Sequence, residues 1–172
     1  MLATMDTIRT RPRLKIEPTP TDRVVETAAV VGVAFLVVVT AFYWPMVPKT
    51  IPTHFDIAGK VDGWGPKAML LPTPFICAGI YVLITVISRF PHIFNYPVPI
   101  TEENAERQYR IALTVMRWLK MEIIWLFAYL NWQMIQVALG KAKGLDVLAM
   151  PIALAVIGGT TLVLVVRAYR AR

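Results

Sequence analysis

A chain of 172 residues that is 56% hydrophobic and 17% charged, with a mean hydropathy of +0.56, carries more apolar surface than a water-soluble core could hide, which excludes an ordinary soluble domain. The formal charge of +7 belongs to residues flanking apolar runs, without the aromatic interleaving or module patterns of nucleic-acid binders, so nucleic acid is excluded as a partner. The single Cys77 excludes an internal disulfide and a cysteine metal cluster, and is expected as a small buried apolar residue.

Residues 1–23 form a basic leader. Four later segments, 24–46, 68–88, 121–139 and 146–166, are apolar over about 20 residues, the length a helix needs to cross about 30 Å of hydrocarbon. Lipid offers the backbone no hydrogen-bond partners, so all four are expected as helices, and the alternating strands of a barrel are absent. The fold class is therefore an all-α membrane protein: a four-span domain over 24–172 with a short outer loop or hairpin over 47–67 and a connection over 89–120. The first segment is too long for a signal peptide and ends in Phe42, Tyr43, Trp44 and Pro45 without a small-residue cleavage pattern, so it is expected as a retained anchor.

Thirteen of the 18 basic residues fall in the leader (Arg9, Arg11, Arg13, Lys15, Arg23), the 89–120 region (Arg89, Arg107, Arg110, Arg117, Lys120) and the tail (Arg167, Arg170, Arg172). Basic residues near span ends are retained in the cytoplasm, which predicts a multi-pass protein of the bacterial cytoplasmic membrane with both termini cytoplasmic and the 47–67 loop outside. Anionic headgroups on the cytoplasmic side are the expected lipid partner.

The outer loop concentrates Pro52, Thr53, His54, Phe55, Asp56, Gly59, Asp62, Gly63, Trp64 and Lys67. Histidine and carboxylates could supply metal ligands or acid–base groups, but catalytic zinc wants three protein ligands, and His92 is expected on the opposite side of the membrane. Folding accounts for more of these residues. Pro52 enforces an extended entry, Gly59 and Asp62-Gly63 suit tight turns, Phe55 and Trp64 can seal the loop onto the span ends, and His54 can bond backbone or aspartate to fix it. No nucleophile elbow, zinc-protease helix or phosphate-binding loop occurs. The expectation is a recognition or structural loop, with no catalytic residue, metal or cofactor.

In the connection, Pro91, Pro97 and Pro99 interrupt helix, and Thr101 can cap a helix beginning with Glu102 and Glu103 that runs on into the third span. Arg107, Arg110, Arg117 and Lys120 share one broad face of it, as a basic arm lying along lipid headgroups requires; an ordinary solvated surface explains them equally well. In the third span, Glu122, Tyr129, Gln133 and Gln136 fall within about 60° of one another, with Asn131 opposite, a stripe that should face another helix or a partner. Pro72 and Pro74 are expected to bend the second span, and Gly158 with Gly159 to offer a packing face on the fourth.

The order Pro48, Ile51, Pro52, Thr53, His54, Phe55, Gly59, Asp62, Gly63, Trp64, Lys67 between two spans resembles the bacterial membrane family called domain of unknown function 1648, which includes SdpI-like immunity and signalling proteins. The match is clearest over about 40–90. Phe94, Asn95, Tyr96 and Pro97, with the Thr101 to Asn104 start, are similar to members with four spans. Pro66 stands where relatives often carry Ser, and the additional spans of longer SdpI-like proteins are absent. The resemblance implies an integral membrane protein with an outward loop and no established catalytic residues. A non-enzymatic role follows as the expectation, in partner recognition of a toxin-immunity or signalling kind. The alternatives are an accessory subunit of a larger membrane complex and, ranked last, a metal-dependent enzyme or transporter.

Overall fold

The computed structural model describes residues 11–171; leader residues 1–10, among them Arg9, and the terminal Arg172 lie outside the described residues. The first helix, α1, covers Pro20–Tyr43 and begins four residues before the apolar run. Thr19 explains the early start. Its hydroxyl accepts from the Asp22 amide (3.1 Å), while Asp22 Oδ2 accepts from the Thr19 amide (2.9 Å), a reciprocal cap with Pro20 supplying the helical φ of the first position.

Two strands, β1 (Thr50–Phe55) and β2 (Val61–Pro66), form an antiparallel hairpin with a register irregularity around His54. This sheet corrects a strictly all-α fold, and Asp62-Gly63, expected in a tight turn, lies inside β2, leaving the turn to Gly59. A 3-10 turn, Lys67–Leu70, leads into α2, Pro72–Ile87. Pro72 and Pro74 therefore start this helix rather than bend it, since neither first-turn position needs an amide donor.

The helix α3 runs unbroken through Ala105–Ala138, 34 residues and about 51 Å long, so it outreaches a hydrocarbon layer by several turns. Its cap is Asn104 and not Thr101; the two side chains instead exchange bonds with each other's amides (2.9 and 3.3 Å) one turn earlier. Helix α4 covers Ala149–Arg170. Three segments, Pro20–Tyr43, Lys67–Ile87 and Ala149–Arg170, are long and apolar enough to cross a membrane, the pattern of a multi-pass membrane protein. The expected third span lies inside α3, which carries Lys120, Glu122, Asn131, Gln133 and Gln136 and does not reach that apolarity.

Helix α3 is the hub, meeting α1, α2, α4 and β1. The pairs Asp22–Arg117, Glu26–Lys120 and Thr40–Asn131 advance together along both chains, so α1 and α3 are parallel. Gly32 permits their close approach: a Cβ there would come within 2.8 Å of Ile124. Ala29, Leu36, Cys77, Ile124 and Ala128 form the central core, with Cys77 fully buried; Val47, Ile51, Leu70 and Ile135 form a second core beneath the hairpin. Gly158 and Gly159 face open space and do not supply the expected packing within this chain.

Candidate functional site

The hairpin tip is a closed turn. The Asp56 amide donates to the Lys60 carbonyl (2.8 Å), Asp56 Oδ1 accepts from the Lys60 amide (2.8 Å), and Gly59 adopts φ +75°, a conformation that strains any residue with a Cβ. The Gly59 carbonyl accepts from Leu145 (2.8 Å), and Lys60 bridges to Gly144, which ties the tip to the α3–α4 loop. At the opposite end Lys67 donates to the Trp44 carbonyl (3.3 Å) and lies 4.6 Å above the Trp44 ring. Ile51 and Pro52 are buried, Thr53 and Phe55 half-buried. The backbone is thus fixed at both ends.

On this frame His54 Nδ1 meets Asp62 Oδ1 at 2.5 Å across the strands, with the two side chains 72% and 46% exposed. Gly63, opposite His54, leaves room for the imidazole: a Cβ there would approach His54 Cβ to 2.8 Å. Trp64 does not seal the hairpin. It is 61% exposed on the outward face of a regularly alternating β2, and Ile57, in the tip turn, is fully exposed. Among the described residues no three His, Cys, Asp or Glu side chains converge.

A second polar site lies at the other end of the bundle, where α1 begins and α4 ends. Lys120 Nζ donates to both oxygens of Glu26 (2.8 Å each) and to Thr85 Oγ1 (2.9 Å), and sits 4.4 Å above the Tyr81 ring, while Tyr81 donates to Glu26 (2.7 Å). One turn away Arg117 pairs with Asp22 at 3.2 Å, and Thr114 donates to the same carboxylate (3.3 Å). The basic arm is therefore corrected for these two residues: the Arg117 and Lys120 side chains are 15% and 2% exposed and turned into the protein. The physical reason is the two carboxylates on α1, which could not stay ionised between helices without counter-charges. Arg107 remains exposed, and Arg110 pairs with Glu106 (2.8 Å) at the surface. The sequence signal for Asp22 and Glu26 was available, two acids one turn apart at the start of an apolar run.

The polar stripe of α3 divides. Glu122 faces α4 and accepts from Thr160 (2.8 Å), Gln133 donates to Tyr129 along its own helix (3.1 Å), and the Gln136 carbonyl accepts from Lys141 (2.9 Å) while its amide nitrogen is buried without a bond. Asn131, opposite, donates to Thr40 of α1 (2.9 Å).

Residues 31–78, which cover most of α1, the hairpin and the start of α2, match the family model described as "Domain of unknown function (DUF1648)". An uncharacterized protein of Archaeoglobus fulgidus is 28% identical over 95 residues, covering 49% of this chain and 52% of that protein. The match thus spans about half the length of that relative. No solved structure matches.

Proposed function

From a chain that carries the domain of unknown function 1648 over residues 31–78, we propose a non-enzymatic integral membrane protein whose hairpin recognises a protein or peptide partner outside the cell. The supporting observation is the exposure of His54, Ile57 and Trp64 on a backbone held at both ends. Rigid exposed side chains lose little entropy on binding; Ile57 and Trp64 are left uncovered by the fold, and His54 is oriented beside them by Asp62. In this reading the chain spans a bacterial cytoplasmic membrane four times, with α3 as the third crossing shielded by its neighbours and both termini cytoplasmic. The setting is recognition of a toxin-immunity or signalling kind.

A photocrosslinking residue at Ile57, activated in native membranes, tests this. One discrete adduct that disappears with His54→Ala or Trp64→Ala is the expected result. Adducts unchanged by both substitutions, or none, overturn the reading.

A second reading, an accessory subunit of a larger membrane complex, draws on the buried, unbonded amide of Gln136 and the open Gly158–Gly159 face of α4. Purification from native membranes at the mass of a lone monomer or homodimer removes it.

A further inference from the structure

Between the leader-end turns of α1, α2 and α3 lies an open cavity of about 450 Å³, within the range of small-ligand sites. Four cations line it, Arg23, Arg89, Arg117 and Lys120, against the two carboxylates of Asp22 and Glu26. Both carboxylates are already engaged. Arg117 and the Thr19 cap hold Asp22, and Lys120 with Tyr81 holds Glu26. Arg23 on α1 and Arg89 just beyond α2 make no ion pair among the described residues and stand exposed at the mouth, with Ser88 on the wall between α2 and the cavity. The cavity thus carries an excess of two positive charges, held by guanidinium groups whose forked donors match phosphate oxygens.

The position supplies the rest of the argument. The outward faces of the same two helices carry Val24, Val82 and Val86 exposed, the kind of surface that acyl chains cover once α1 and α2 stand in a bilayer. An anion reaching Arg23 and Arg89 at that depth comes with its tails already aligned along these faces. We propose that this cavity is a binding site for the phosphate of an anionic phospholipid headgroup, gripped by Arg23 and Arg89. Arg117 and Lys120 keep their carboxylate partners and form a charge-balanced floor beneath it. The site rests on the membrane reading of the chain and is independent of what the hairpin recognises.

The test uses the full chain in mild detergent, titrated with phosphatidylglycerol, phosphatidylcholine or inorganic phosphate and followed by native mass spectrometry. The variants are Arg23→Gln with Arg89→Gln, and a control of equal charge change at the opposite end, Lys141→Gln with Lys143→Gln. Both arginines are exposed and make no ion pair among the described residues, so folding is checked by circular dichroism and should not change. Expected is selective retention of phosphatidylglycerol over phosphatidylcholine, weakened about tenfold or more in the arginine double variant and unaltered in the control. Equal retention of both lipids, equal loss in the control, or full competition by inorganic phosphate at the lipid's own concentration overturns the proposal. The hairpin crosslink is unaffected by any of these outcomes, so the two readings fail separately.

Discussion

Lys120 Nζ stands 2.8 Å from each carboxylate oxygen of Glu26, linking α3 to α1 in the wall of the open cavity between them. The Lys120 side chain is only 2% exposed, so Glu26 rather than solvent balances its ammonium. Lys120→Met leaves Glu26 without its counter-charge and is expected to lower stability by about 3 kcal/mol. Adding Glu26→Gln should restore much of the loss. Denaturant unfolding of the two single variants and the double, analysed as a cycle, measures the coupling; strictly additive effects would show that the pair contributes nothing.

Gly59→Ala acts at the other end. A Cβ there overlaps the Leu145 carbonyl, and φ +75° penalises it independently. The expected cost is about 2 kcal/mol, confined to the contact between the hairpin tip and the α3–α4 loop. Amide exchange reads it: Leu145, which donates to Gly59, loses protection while the Asn131 region keeps it. Protection of Leu145 equal to that in the parent protein contradicts the docking.

Membrane topology has a direct chemical check. With Cys77 replaced by serine, a cysteine at Ala58, on the exposed hairpin tip, should react with a membrane-impermeant thiol reagent in intact cells. One at Ser88 should react only after the membrane is opened. The reverse pattern inverts the orientation argued from the basic residues.

Tyr96 couples the leader-end connection to alkaline pH. Burial, reinforced by the neighbouring Tyr109 ring, pushes its phenol well above the ordinary value of 10.0. In the unfolded chain it ionises near pH ~10, so the folded state keeps its full stability below that pH and loses it as pH rises further. Tyr96→Phe is expected to flatten this alkaline loss, measured as thermal stability from pH 8 to pH 11, at the cost of the 2.9 Å bond to the Pro91 carbonyl. An unchanged slope removes Tyr96 as the titrating group.

Much of the frame was legible in the sequence because lipid imposes helices on long apolar runs: the segments 24–46, 68–88 and 146–166 correspond to Pro20–Tyr43, Lys67–Ile87 and Ala149–Arg170. The turn at Gly59, the extended Pro52 and the contact of His54 with an aspartate were also readable, since glycine and proline act locally, whereas Asp62-Gly63 went into β2 and not into a turn. What failed depended on distant neighbours. Periodicity puts Arg117 and Lys120 on a face of α3, but only packing says that the opposing surface carries Asp22 and Glu26, more than 90 residues earlier. The exposure of Trp64 is likewise set by packing: β2 alternates regularly, and only the docking of the hairpin decides that the face with Asp62, Trp64 and Pro66 looks outward.

The two ion pairs between α1 and α3 also order the making of the protein. Asp22 and Glu26 leave the ribosome first, and their counter-charges follow only after α2 and the whole 89–120 connection have been synthesised. Until then the head of α1 holds two acids that lipid will not accept. The ion pairs that join the head of α1 to its neighbour are therefore complete only once α3 has been made.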